Sequence, residues 1–250
     1  MEPVEKKREN YFAGQIAENY DADSTGVFDP SVIGVTVDFL VGLAGEGRAL
    51  EFAVGTGRIA LPLSQRGVPV SGIELSADMA AQLAAKPGAD AIDVRIGDMT
   101  STKVDGLFRL VYLIFNTIGN LTTQDDQVEC FRNAAAHLEP GGCFVIEVGV
   151  PDLRRLPPGE TTQVFHFSST RIGFDELDVA NQLGVSHHIW LGEGGSRMFS
   201  MPWRMVWPAE LDLMARIAGL RLRERWEHWG RQPFRSESRM HVSVWEKPAE

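Results

Sequence analysis

The sequence predicts an α/β protein with a mostly parallel sheet, helices on both of its faces, and an inserted antiparallel meander. Three observations predict it. Apolar runs of strand length alternate with helix-period segments from Arg48 to Val148. The run Phe108–Phe115 is apolar almost throughout, as in strands buried on both faces. From Thr161 to Trp207, four strand-like runs follow one another with no helix between them, which suits an antiparallel meander.

The elements follow in order. Residues 9–21 carry Phe12, Ile16, Ala17 and Tyr20 at helical spacing. Asp29-Pro30-Ser31 opens a second helix through about Ala44, and Gly45-Glu46-Gly47 ends it. Arg48–Ala53 is the first strand. A short helix follows from about Ile59 to Gln65, with Pro62 tolerable only near its first turn. Val68–Ile73 is the second strand, and Ser76-Ala77-Asp78 caps a helix to about Ala85, broken by Lys86-Pro87-Gly88. Ile92–Ile96 and Phe108–Phe115 are strands three and four. Gln124–Leu138 is a helix stopped by Glu139-Pro140-Gly141-Gly142, and Cys143–Val148 is strand five. The meander runs are 162–168, 170–177, 184–192 and 197–207. Pro208 starts a helix to about Ala218, and Leu220–Trp226 and Met240–Trp245 are closing strands that can join the main sheet, the last one antiparallel. The expected division is a helical lid (1–47), a core (48–150), a β cap (151–207) and a C-terminal helix with two strands (208–250).

Composition narrows the function. The chain has 24 Lys and Arg against 34 Asp and Glu, a net charge of −10. That balance argues against a nucleic-acid groove, which needs a basic stripe, and against an anionic membrane surface. Residues 1–9 are too charged for a signal peptide, and no stretch reaches the roughly 18 apolar residues of a membrane helix, so a cytoplasmic protein is expected. Cys130 and Cys143 stand in no CxxC or Cys/His pattern, so neither a disulfide framework nor a metal site is expected. No Ser/His/Asp arrangement, phosphate loop or HExxH segment occurs.

The chemistry concentrates in Leu50-Glu51-Phe52-Ala53-Val54-Gly55-Thr56-Gly57-Arg58 and, one strand-turn-helix later, Val70-Ser71-Gly72-Ile73-Glu74. A glycine turn beside one strand end and a carboxylate at the next suit a nucleoside: the backbone approaches closely, and the acid accepts from both ribose hydroxyls. Gly55-x-Gly57-x-x-Ala60 with Glu74 also fits a dinucleotide fingerprint. Against it stand the helical stretch ahead of the first strand, Glu51 before the turn, Thr56 within it, and Gly97-Asp98-Met99 after strand three. The polar edge Asn116-Thr117-Ile118-Gly119-Asn120-Leu121 after strand four points the same way.

With these segments the chain resembles a class I S-adenosylmethionine-dependent methyltransferase with a Rossmann-like seven-stranded sheet. It is similar to the small-molecule branch of glycine/sarcosine-type and amino-sugar N-methyltransferases. The motifs that carry the resemblance are Glu51–Gly57, Glu74-Leu75-Ser76-x-x-Met79, Gly97-Asp98-Met99, Phe115–Leu121, Leu138-x-Pro140-Gly141-Gly142 and Ile16-Ala17-Glu18-x-Tyr20-Asp21. Asn116-Thr117-Ile118-Gly119 departs from the Asn/Asp-Pro-Pro-Tyr of enzymes acting on nucleobases or protein amides, which disfavours those substrates.

The resemblance implies S-adenosylmethionine as cofactor, S-adenosylhomocysteine as product, no metal, and a small-molecule acceptor methylated on N or O by in-line displacement. It implies cofactor contacts from Tyr20, Glu51, Ala53, Gly55, Gly57, Glu74, Leu75, Met79, Gly97, Asp98, Met99, Phe115 and Asn116, and substrate contacts from Asn120, Tyr11 and Trp203. Glu74 is read as the ribose clamp, Asp98 as acceptor of the adenine amino group or a helix-capping acid, and Arg58 as a carboxylate partner or a solvated arginine. A base is not identified. His166, His187 and His188 are weak candidates, and the adjacent pair points to opposite faces of a strand. The six tryptophans all lie in the last third. With Met198, Met201 and Met205 they read as core packing, an apolar lid, or a homodimer surface on the β cap. Two alternatives remain open: an NAD-dependent oxidoreductase, and a relative that binds the cofactor without transferring methyl.

Overall fold

Five strands of the main sheet run parallel: β1 (Ala49–Phe52), β2 (Val70–Glu74), β3 (Asp93–Ile96), β4 (Phe108–Leu113) and β5 (Leu138–Gly149). A second, antiparallel sheet of β6 (Thr162–Phe167), β7 (Arg171–Asp178), β8 (Leu183–Gly192) and β9 (Gly195–Arg204) leaves the chain after β5. β10 (Arg221–Trp226) and β11 (Met240–Glu246) return to the main sheet, whose order is β10-β11-β5-β4-β1-β2-β3. β11 is antiparallel to both neighbours. The computed structural model describes residues 8–23, 28–192 and 194–249. Residues 1–7 and 24–27 of the expected lid, and Glu193, lie outside the described residues.

The helices are α1 (Gln15–Asp23), α2 (Pro30–Ala44), α3 (Ala60–Gln65), α4 (Ala77–Ala84), α5 (Gln124–His137) and α6 (Pro208–Ile217). Their starts are chemically marked. The Asp29 side chain accepts from the Ser31 amide, Ser76 from Met79, and Thr123 from Asp126, while Pro208 opens α6. α2 and α3 cover one face of the sheet, packing Leu40, Leu43 and Leu63 over Val70, Tyr112, Val145 and Val244. α5 and α6 cover the other, where Phe131, Phe144 and Trp245 meet with ring centroids 5.0–6.4 Å apart.

Two elements differ from the sequence reading. The first helix begins at Gln15, not near residue 9. Phe12 and Tyr20 belong instead to a strap and helix that dock on α4: the Asn10 side chain closes a turn on the Phe12 amide, and the Gly14 amide donates to Asp78. β5 begins at Leu138, because Glu139–Gly142 bulges within the strand rather than preceding it. Phe108 faces Leu138 and Leu110 faces Cys143, and Gly141 at φ +78 donates its amide to Lys247 O. Among the described residues no helix is long and apolar enough to cross a membrane.

His241 in β11 is buried with Nδ1 against Ser243 Oγ and Nε2 without a partner. Burial pushes its pKa down to about 3, aided by Arg225 and opposed by Asp212. Below its ordinary value the unfolded chain binds a proton that the folded chain refuses, so this group makes stability fall as pH drops from about 6.5 toward 3. In urea titrations between pH 7 and 4.5, His241→Gln should flatten that decline by up to about 1.4 kcal/mol per pH unit. Parallel profiles for the two proteins would refute it.

Candidate active site

The carboxyl ends of β1, β2 and β3 converge on one turn. After β1, Ala53 (φ +52), Gly55 (φ +57) and Gly57 (φ +81) take left-handed backbone. At Gly57 a side chain would also collide, since a Cβ would lie 2.3 Å from Leu83 Cδ1. The buried Glu74 carboxylate at the end of β2 accepts the Gly55 amide on Oε2 and the Ser76 amide on Oε1, both at 2.8 Å. Burial raises its pKa, and the Ser76, Gly55 and Leu75 amides oppose that. Below the turn, Glu51 accepts from the Tyr112 hydroxyl at 2.9 Å. Burial pushes Glu51 up to about 8, against the pull of Tyr112, the Arg58 charge and the Ala60 amide.

The N-terminal strap and α1 close over this turn. Ser76 Oγ donates to Phe12 O, and the Phe12 and Tyr20 rings meet edge-on at 6.0 Å. Asp21 accepts from Thr56 Oγ1 at 2.6 Å and pairs with Lys86, whose ammonium also donates to Thr56 O. Arg8 bridges Asp98 at 2.6 Å and Asp126 at 3.2 Å.

Two cavities lie under the strap. The first, about 430 Å³, is walled by Tyr20, Ala53, Gly55, Glu74, Leu75, Met79, Gly97, Asp98 and Met99. These nine residues are the expected cofactor contacts that the structure brings together. Glu51 and Gly57 support the turn from outside that wall. Phe115 and Asn116 line the second cavity instead. Both have left-handed φ, +58 and +62. They are held by β5: Glu147 Oε2 accepts the Phe115 amide at 3.0 Å, and Asn116 Oδ1 accepts the Gly149 amide at 2.6 Å. Asp98 serves its own turn and the strap, accepting from Thr100 and from Arg8.

The second cavity, about 520 Å³, lies between the end of the main sheet and the inner face of the antiparallel sheet. Trp203 lines it, Asn120 lines both cavities, and Tyr11 lines the first, with its hydroxyl donating to Glu9 at 2.6 Å. His188 faces the second cavity and contacts Arg171 at 2.9 Å. His187 faces away, against Ser200 and Phe174, and His166 is exposed on the edge strand. Sequence reasoning did not single out Arg8, Gln163, Arg171, Asp175 or Ser186. The available signal for three of these was strand parity: in β7 and β8 the cavity residues Arg171, Asp175, Ser186, His188 and Trp190 fall at even intervals. Phe12, Tyr20, Thr117, Asn120 and Met201 belong to both walls.

A nucleoside sulfonium fits the first cavity. A buried acid stands at the turn, Gly55 adds no side chain to the wall, and Met79 and Met99 offer apolar surface to a ring. Among the described residues no group of His, Cys, Asp or Glu could hold a metal ion.

Comparison with known proteins agrees with this geometry. Residues 49–142 match a family model described as a methyltransferase domain. The solved CcbJ methyltransferase from Streptomyces caelestis is 37% identical with a TM-score of 0.85, covering 96% of this chain and 99% of its own. The dTDP-3-amino-3,6-dideoxy-α-D-glucopyranose N,N-dimethyltransferase of Streptomyces fradiae is 32% identical over 56% of this chain and 60% of its own length. The SAM-bound amino pentose methyltransferase CalS10 from Micromonospora echinaspora shares the fold, with a TM-score of 0.68 at 22% identity over 96% of this chain and 99% of its own. The chain belongs to the S-adenosylmethionine-dependent methyltransferases, which sets aside the nicotinamide alternative.

The cap is fastened to the core by Arg204, which is 4% exposed. Its guanidinium donates to Gln127 at 2.7 Å, Gln182 at 3.2 Å and Glu210 at 2.6 Å. Arg204→Met removes the cation and leaves these acceptors unmatched, so urea unfolding should show a loss of about 3 kcal/mol. An unchanged midpoint would mean that the cluster adds nothing to stability.

Proposed function

We propose that this enzyme transfers the methyl group of S-adenosylmethionine to an amine nitrogen of a small molecule. The observation that carries the reading is the junction of the two cavities. A nucleoside-shaped site with Glu74 opens, past Tyr20, Thr117, Asn120 and Met201, into a space lined largely by apolar and aromatic groups. Cofactor in the first and acceptor in the second would meet at that junction, and in-line displacement needs little more than such alignment. Two relatives that are amino-sugar N,N-dimethyltransferases support an amine as acceptor. Bound S-adenosylmethionine supplies an electrophilic methyl on sulfur. The chain's part is to seat it: Glu74 at the ribose, Met79 and Met99 at the base, and Tyr20 over the reacting end. Glu51 and Gly57 shape the turn, while Phe115, Asn116, Asn120 and Trp203 shape the acceptor side. Residues 1–47 serve as lid, 48–150 as cofactor core, 151–207 as acceptor cap and 208–250 as the closing helix and strands. An enzyme drawing on this methyl donor works in the cytoplasm.

The test is direct. Titration calorimetry should show S-adenosylhomocysteine binding, and mass spectrometry should show methyl gain on members of an amino-sugar panel. Absence of both defeats the reading, and binding without turnover favours a relative that holds the cofactor idle. Glu74→Ala should weaken S-adenosylhomocysteine binding about tenfold to a hundredfold, as expected for the loss of charge-assisted hydrogen bonds. Unchanged affinity would remove Glu74 from the role of clamp.

We also propose that two copies pair through the cap. Val164, Phe165 and Phe167 are exposed along β6, whose outer edge is unpaired, and Phe167 is 80% exposed. Sedimentation should show a dimer that Phe167→Lys disrupts, whereas a monomeric wild type rules this out.

A further inference from the structure

Strand register fixes what the cap presents to the acceptor cavity. Gln163 stands opposite Asp175, Asp175 opposite Ser186, and Ser186 opposite Met201. This row crosses the sheet on its inner face and ends at Met201, which lines both cavities. A polar track therefore leads from the middle of the acceptor cavity to its junction with the cofactor site.

Two carboxylates line the acceptor cavity, Asp152 and Asp175. Asp152 already receives the Arg154 guanidinium at 3.0 Å. Asp175 pairs with no lysine or arginine among the described residues, and its hydrogen-bond donor is the neutral Ser186 hydroxyl. Burial raises its pKa, with Ser186, the nearby Trp203 indole and His187 opposing. That indole lies against Gly184, where a Cβ would come within 2.7 Å of the ring, and its buried Nε1 makes no hydrogen bond of normal geometry. A carboxylate among apolar groups is costly until a donor-bearing cation meets it. Phe199 and Trp203 line the same cavity, and an aromatic face attracts a cation further, whereas the Trp190 ring already carries Arg171 at 5.3 Å and Arg197 at 4.2 Å.

We propose that Asp175 holds the acceptor nitrogen as an ammonium, and so selects amines over alcohols. The proposal rests on the methyl-transfer reading above. Held there, the ammonium passes one N–H proton to the Asp175 carboxylate. The freed lone pair forms the N–C bond as the C–S bond breaks, with its electron pair remaining on sulfur. The product is an N-methylammonium once the nitrogen has gained the methyl group.

Benzylamine and benzyl alcohol test this, because they share a shape and differ in charge. In the complex with S-adenosylhomocysteine, calorimetry should show that the wild type binds the amine at least about tenfold more tightly than the alcohol. Asp175→Asn should abolish the preference and Asp175→Glu restore part of it, with S-adenosylhomocysteine affinity unchanged in both. Asp175→Ser replaces the asparagine variant if that protein fails to fold. No preference in the wild type, or a preference that survives in Asp175→Asn, overturns the role of Asp175 and leaves methyl transfer standing. Failure of the wild type to bind S-adenosylhomocysteine defeats the parent reading instead.

Discussion

The Glu74 carboxylate accepts two backbone amides at 2.8 Å, one from the turn after β1 and one from the first residues past β2. Much of the site depends on that pair of bonds. They tie two parallel strands together beyond the end of their ladder, where sheet bonding no longer acts. They also hold Ser76 where it caps α4 and reaches Phe12 of the strap. An acid in so dry a position is retained because its amide donors meet the charge at fixed points.

A second carboxylate does the equivalent work beside the second cavity. Glu147 receives the Phe115 amide on one oxygen and the Trp229 indole N–H, at 2.7 Å, on the other. Two successive non-glycine residues with left-handed backbone cost of order 1–3 kcal/mol each, and they persist only where the surroundings hold them. Glu147 and the Asn116 to Gly149 bond supply that restraint. The strand ends on both sides of the topological switch between β1 and β4 are thus fixed by side chains accepting from main-chain amides.

The order of elements and the residues that wall the first cavity were legible in the chain because their signals are local. A glycine turn, an acid nineteen residues after Gly55, and Gly97-Asp98-Met99 all sit at strand ends whose positions periodicity marks. The wall of the second cavity was legible only in part. Arg171 and Asp175 contribute because the register of β7 turns them inward, and register is set by partners far away in sequence. His187 and His188 could be sent to opposite faces from sequence, but which faced the cavity required the sheet's position. Asp98 was read as an acceptor for the adenine amino group or a capping acid; it lines the first cavity, and its oxygens also meet Thr100 and an arginine 90 residues away, a pairing no local pattern encodes. The start of α1 was missed for a similar reason: docking on Asp78 and Ser76 holds the strap in turns where helical spacing suggested more helix.

Five residues form a wall common to both cavities. Two ligands that share a wall also share a surface with each other, so each alters what the other finds on arrival. Thermodynamic reciprocity then requires that methyl donor and acceptor change one another's affinity by the same factor, whichever enters first. Order of entry governs rates alone, and the equilibrium coupling is the same seen from either ligand.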